Sequence, residues 1–256
     1  MYFEVHGAAN PGTPLVLLHG GMSATGTSFG MLLPGLAKNR RIIAIEQQAH
    51  GHTADIDRPL SFPRMAEDTA AMLRYLNVEQ ADVLGYSSGA GIALQLTIDH
   101  PEMVRKLVFI SLYYNAAGAQ PGQHEGMAGI KPEHLYGTPF HDEYMRIAPR
   151  PEDFPVLLEK TKQMDATVED WPAEALRAIK QHVLTIIGDA DIVQAEHAVE
   201  MFRLFGGGAP DYTDAPRSQL AIIPGANHIT VVHRADLLVP MLESFLGSPE
   251  TTAEAE

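Results

Sequence analysis

A chain of 256 residues, 45% hydrophobic and 20% charged, holds material for one large core or two small ones, which excludes a disordered or fibrous protein. No apolar run reaches the roughly 18 residues of a membrane span, and the opening Met1 to His6 lacks the basic and apolar regions of a secretory signal, so a cytoplasmic location is expected. Zero cysteines exclude disulfides and thiolate chemistry, and a net charge of -14 without a Lys/Arg cluster excludes nucleic acid and anionic membranes as partners.

In chain order, Leu15-Val16-Leu17-Leu18 is the first short run that is apolar at every position, the pattern of a strand buried on both faces. It runs into His19-Gly20-Gly21-Met22, a glycine-rich turn with free backbone N–H groups. Ile42-Ile43-Ala44-Ile45 is a second strand, followed by a helix near 64–76. Asp82-Val83-Leu84 and Leu107-Val108-Phe109-Ile110 are further strands, with a helix at 88–99 that His100-Pro101 ends. This alternation predicts a mostly parallel sheet with helices on both faces.

The rhythm stops between Tyr113 and Trp171. Prolines at 121, 132, 139, 149, 151 and 155 divide this segment into short helices and turns, and it holds seven of the eighteen aromatic residues of the chain. Two readings stand side by side: a small helical unit using its aromatics as its own core, or a lid whose apolar underside lines a substrate pocket. The expected division is a core of 1–112 and 177–248, a cap of 113–176 and a flexible tail from 249. After the cap the rhythm resumes with a strand at 183–187, a helix at 195–205, a long glycine-rich loop from 206 to 215, a strand at 220–223 and a closing helix at 234–246.

The strongest chemical signal is Gly85-Tyr86-Ser87-Ser88-Gly89, a G-x-S-x-G between a strand and a helix. A serine on such a sharp turn projects its oxygen above the sheet, and the flanking glycines avoid collisions that a β-carbon would cause. A serine hydroxyl needs a base, and the base an orienting carboxylate. Gly188-Asp189-Ala190-Asp191 and Pro224-Gly225-Ala226-Asn227-His228 each follow a strand, and the carboxyl ends of strands are where open α/β sheets place ligands. Asp191 and His228 are therefore expected to meet Ser87, with Asp189 as the alternative acid and Asp191 then a helix cap. The N–H groups of Gly21 or Met22, with that of Ser88, are candidates for an oxyanion hole, the alternative being a structural tight turn.

These pieces, in this order, resemble the α/β-hydrolase superfamily over residues 2–246. The resemblance implies a serine carboxylesterase-like member with a helical cap between the sixth and seventh strands of the usual count. It implies Ser87 as nucleophile, Asp191 as acid, His228 as base and Gly21, Met22 and Ser88 as oxyanion-hole positions. Tyr86, Tyr113, Tyr114 and Trp171 are expected to line the substrate pocket. No metal and no cofactor is expected, His50-Gly51-His52 being too isolated for a metal site. The partner implied is a small-molecule ester or lactone. A lactonase, a carbon–carbon bond hydrolase, a perhydrolase or a hydrolase-fold binding protein with little turnover would use the same parts. A serine at the nucleophile position argues against haloalkane dehalogenase and epoxide hydrolase activity.

Two departures accompany the resemblance. Where relatives often carry an acidic residue and a G-x-G-x-S turn after the fourth strand, this chain reads Glu46-Gln47-Gln48-Ala49-His50-Gly51-His52-Thr53, with Ala49 in place of a glycine. The chain also begins at what resembles the second strand, so one edge strand is expected to be absent.

Overall fold

In a computed structural model, which describes residues 1–167, 170–208 and 217–249, seven strands form one sheet. They are β1 (Tyr2–His6), β2 (Leu15–Leu18), β3 (Ile42–Glu46), β4 (Ala81–Tyr86), β5 (Val104–Ile110), β6 (His182–Ala190) and β7 (Ser218–Asn227), in the order β1-β3-β2-β4-β5-β6-β7. Every pairing is parallel except that of β1, which runs antiparallel along β3 at the edge. Before the insertion the helices are α1 (Thr25–Phe29), α2 (Leu33–Leu36), α3 (Phe62–Tyr75) and α4 (Ser88–Asp99).

Alternate residues of the central strands enter two different cores, which is why those strands are mostly apolar. Val16, Leu18, Val83, Leu107 and Phe109 pack on one face with side chains of α3 and α4. Leu15, Leu17, Leu84, Val108 and Ile110 pack on the other with Phe29, Leu36, Leu238, Leu242 and Phe245. The edge strand β1 is only partly buried and mixes Glu4 and His6 with Phe3 and Val5, so no apolar run marks it.

Between β5 and β6 the described residues build helices and turns: α5 (Gln123–Gly129), α6 (Pro132–Leu135), α7 (Pro139–Ile147), α8 (Phe154–Thr167) and α9 (Ala173–Ala178). Prolines stand at the first turns of α6, α7 and α9 or just before them, where a missing N–H costs nothing. Three of the ties between this segment and the rest of the chain bear on the site. Glu143 on α7 accepts from the N–H of Thr27 at 2.8 Å and from its hydroxyl, serving α1 as the cap that Ala24 cannot be. Lys160 on α8 binds the Asp55 carboxylate at 2.6 Å and two carbonyls of the same loop, those of Ile56 and Arg58. The Trp171 indole donates to Gln95 of α4 at 2.9 Å.

The chain closes with α10 (Ala195–Leu204) and α11 (Ala235–Gly247). Of the glycine-rich loop expected at 206–215 and the tail expected from 249, positions 209–215 and 250–256 lie outside the described residues. Among the described residues, no helix is long and apolar enough to cross a membrane.

Strand β4 passes into α4 through a junction with no room for a side chain. A Cβ on Gly89 would lie 1.9 Å from the carbonyl oxygen of Leu18, and one on Gly85 would lie 2.2 Å from that of Gly89. Backbone atoms of the central sheet cannot retreat from such contacts without losing ladder hydrogen bonds. Gly89→Ala is therefore expected to lose more than about 3 kcal/mol of stability in urea denaturation. Gly126→Ala, in the open middle of α5 where a Cβ meets nothing, is expected to gain up to about 1 kcal/mol in the same assay.

Candidate active site

Ser87 sits at the apex of that junction with φ 53° and ψ -120°, a backbone conformation that a β-carbon disfavours. It is held by the β4–β5 sheet edge, where its N–H donates to the Ile110 carbonyl at 2.9 Å, and by α4, whose N–H groups of Ala90 and Gly91 bond to its carbonyl. The hydroxyl is thereby lifted above the sheet, 3.0 Å from Nε2 of His228. Nδ1 of His228 lies 3.0 Å from Oδ1 of Asp191. Asp191 and His228 lie beyond β6 and at the end of β7, adjacent parallel strands whose carboxyl ends share one edge of the sheet.

Asp191 is buried and densely hydrogen-bonded. Oδ2 accepts from the Ser111 hydroxyl at 2.5 Å and the Gly188 amide at 3.0 Å, and Oδ1 also accepts from the Ile192 amide at 2.8 Å. Burial pushes its carboxyl upward, but the bond and charge of His228 with the Ser111 and Gly188 donors outweigh it and hold the group below the usual carboxylate range. Asp189 does something else: its carboxylate accepts from the amides of Gly225 and Ala226 at 3.0 and 3.2 Å, shaping the turn that leads to His228. The helix cap at α10 is Gln194, not Asp191.

The first glycine-rich turn is locked by a buried histidine. The Gln47 amide donates to Nε2 of His19 at 3.0 Å, so the ring proton sits on Nδ1 and goes to the Gly20 carbonyl at 2.8 Å. Burial above all keeps His19 neutral by lowering its pKa. The Gly20 carbonyl is further occupied by the Ser23 hydroxyl at 2.8 Å. The amides of Gly21 and Met22 find no partner among the described residues, and both residues line the cavity above Ser87 together with Ser88. Met22, like Ser87, has a left-handed backbone, at φ 58°.

This cavity encloses about 570 Å³ between the sheet edge and the insertion. Tyr86, Tyr113, Tyr114 and Trp171 all line it, but their polar ends differ. The Tyr86 hydroxyl donates to the His228 carbonyl at 2.8 Å, and the Tyr114 hydroxyl to Glu200 at 2.7 Å while its ring stacks on His197. Trp171 uses its N–H on Gln95 and lays its ring near Phe62. Much of the remaining wall is apolar and comes from the insertion, through Met127, Ile130, Leu135, Phe140 and Met164.

Two of the insertion's aromatics, Tyr144 and Phe154, pack on each other and into the core, so the segment uses its aromatics both ways. Ser111, which sequence reasoning passed over, is the first residue beyond β5 and adopts φ 61°; only its place at a strand's carboxyl end could have flagged it. His50 and His52 do not converge on a metal. The His50 ring is buried beside that of His19, which with burial lowers its pKa to about 3, and His52 bonds to Glu46 at 2.9 Å. Among the described residues, no group of three His, Asp or Glu side chains is placed to hold a metal ion.

The family model for the alpha/beta hydrolase fold matches residues 13–185, two thirds of the sequence. The chain belongs to the α/β hydrolase fold family. Among curated relatives, this hydrolase-fold chain is 38% identical to the magnesium-chelatase 30 kDa subunit of Rhodobacter capsulatus over 46% of its own length and 39% of that protein. It is 38% identical to the 2-hydroxymuconate semialdehyde hydrolase of Pseudomonas sp. strain CF600 over 39% of its own length and 36% of that protein. The chain thus spans about two fifths of these relatives. A solved serine hydrolase involved in carbazole degradation superposes with a TM-score of 0.75 at 20% identity, covering 96% of this chain and 98% of that one, a likeness of fold.

The two aspartates separate experimentally. The rate at which a fluorophosphonate labels Ser87 at pH 7 is expected to fall on the order of 10³-fold or more in Asp191→Asn, because the imidazole loses its orienting acceptor. A fall of about tenfold is expected in Ser111→Ala, one charge-assisted bond being worth roughly 1.5–3 kcal/mol. Asp189→Asn is expected to label at a rate within about tenfold of the parent and to unfold at lower urea.

Proposed function

We propose that the protein is a serine hydrolase of small to medium, neutral, partly apolar carboxylic esters. The observation that carries this reading is the relay from Ser87 through His228 to Asp191, two contacts of 3.0 Å at the base of a largely apolar cavity. In the proposed reaction His228 takes the Ser87 proton as the oxygen attacks the ester carbonyl. Asp191 holds the imidazole in the tautomer that has its proton on Nδ1 and stabilises the imidazolium that forms.

The developing oxyanion is received by the amides of Ser88 and of Gly21 or Met22. Donors fixed in place before the reaction need no reorganisation when the charge appears, and each is worth on the order of 10²-fold or more in rate. The tetrahedral intermediate collapses to an acyl-serine, with the His228 proton going to the leaving alcohol. Water deprotonated by His228 then releases the acid. The insertion acts as a cap, its apolar residues forming the wall that holds the organic part of the substrate.

Charge separates the ester reading from a carbon–carbon bond hydrolase acting on carboxylate-bearing ring-fission products, the reading that the semialdehyde hydrolase relative favours. Among the described residues no Lys or Arg lines the cavity, whereas Asp165 and Asp170 do. An anion entering such a site would lose its hydration without gaining a counter-charge. The test is a panel of p-nitrophenyl esters, acyl-homoserine lactones and ring-fission diketones with a Ser87→Ala control. Neutral esters are expected to give the highest kcat/KM, and the control is expected to lose on the order of 10⁴-fold or more in kcat. Faster cleavage of diketones than of any ester, or unchanged turnover by the control, would overturn the reading.

A further inference from the structure

Among the polar side chains that line the cavity and that the reaction at Ser87 does not use, three stand together: Tyr113, His124 and Asp165. His124 stands on α5 and Asp165 on α8, with Nδ1 of His124 3.1 Å from Oδ2 of Asp165. Tyr113 meets the His124 ring edge to face, their centroids 5.9 Å apart and their planes at 83°. All three line the same cavity as Ser87, beside the apolar Met127 and Ile130.

Two of their polar atoms are left over. Nε2 of His124 is buried and has no hydrogen-bond partner among the described residues. The Tyr113 hydroxyl likewise finds none among them, and burial together with the neighbouring Asp165 pushes its pKa up to about 12, so it is a neutral phenol. A buried polar atom left unpaired costs about 1–3 kcal/mol, and most such atoms in native proteins have a partner. With the Asp165 carboxylate accepting the proton on Nδ1, the tautomer this bond selects has an acceptor at Nε2, while the phenol both donates and accepts. A donor and an acceptor lining one cavity match an aliphatic hydroxyl, which does both. They do not match a carboxylate, which Asp165 would repel.

We propose that Tyr113, His124 and Asp165 form a hydroxyl-recognition subsite, so that the preferred substrates are neutral esters bearing a hydroxyl on the chain that reaches beneath the cap. His124 and Tyr113 bind the hydroxyl, and Asp165 is the positioning residue that fixes the His124 tautomer. The proposal rests on the ester-hydrolase reading for its substrate, and on the geometry of the cap for its selectivity.

Two measurements test it. In the first, kcat/KM is compared for p-nitrophenyl 3-hydroxyhexanoate, 6-hydroxyhexanoate, hexanoate and the adipate monoester. At least one hydroxy ester is expected to exceed hexanoate by about tenfold or more, with the adipate monoester the poorest. In His124→Phe, which keeps an aromatic ring against Tyr113, the ratio of hydroxy ester to hexanoate is expected to fall toward one.

In the second, Ser87→Ala protein is titrated calorimetrically with 6-hydroxyhexanamide, 3-hydroxyhexanamide and hexanamide. Tighter binding of a hydroxy amide, by about fivefold or more and lost when His124→Phe is added, supports the subsite without any turnover. Selective binding without ester turnover would keep the subsite and overturn the ester reading. Equal affinities for hydroxylated and plain amides, or a preference for the adipate monoester, would overturn the subsite whatever the turnover.

Discussion

Four neighbouring strands of the sheet are followed, within a few residues, by a non-glycine residue in the left-handed region: Met22 after β2, Ala49 after β3, Ser87 after β4 and Ser111 after β5. Each costs on the order of 1–2 kcal/mol relative to ordinary backbone. Such strain persists only where the surroundings over-determine it, and here they do. Both faces of the strands are sealed by helices, so the chain must reverse sharply at the carboxyl edge to reach the next layer. The reversal turns backbone amides and short polar side chains toward the open space above the edge. Ser87 presents its hydroxyl, Ser111 binds Asp191, and the turn at Met22 leaves two amides unclaimed. The site is a consequence of how a parallel sheet ends.

The same constraint explains why Ala49 can replace a glycine that relatives often carry. The position has φ 67°, a conformation that glycine adopts more readily, and its methyl group is buried in the core. Compensation comes from Glu46, nearly inaccessible at the end of β3, whose carboxylate accepts from the amides of His52 and Thr25 and from the His52 ring. Gly51 beside it has φ 53°, and a Cβ there would lie 2.2 Å from the Glu46 carboxylate and force it from its bonds. One glycine is relinquished where the side chain points into the core, and another is kept where it would meet a buried charge.

What was legible in the sequence follows from the same physics. Strands buried on both faces carry apolar runs without alternation, so β2, β3, β4, β5 and β6 announce themselves, as does the elbow, whose glycines answer a steric demand set by neighbouring backbone. The edge strand β1 is half-exposed and mixed in polarity, and α1 is a Thr-Gly-Thr-Ser-Phe segment of poor helix formers. It forms because Glu46 and Glu143, distant in the chain, accept from its first amides. Asp189 and Asp191 follow the same strand two residues apart, and remote partners divide their roles: the turn at Gly225 and Ala226 for one, His228 and Ser111 for the other. Contacts of this kind depend on where two remote segments meet, which no local pattern encodes.

The pocket aromatics show how such meetings convert composition into selectivity. Tyr86, Tyr114 and Trp171 each carry one polar atom on a large apolar body, and each spends that atom on the protein: on the His228 carbonyl, on Glu200 and on Gln95. Their bodies then face the cavity as hydrocarbon, and their bonds tie the base, the β5 exit and the cap to the core. Tyr113 differs because its hydroxyl finds no hydrogen-bond partner among the described residues, while its ring meets the edge of His124, which bonds to Asp165. An aromatic count treats the four residues as equivalent. Their hydrogen bonds divide them into three whose polar atoms are used within the protein and one whose hydroxyl is left to the cavity, and that one stands beside His124 and Asp165, away from the contacts that join Ser87, His228 and Asp191.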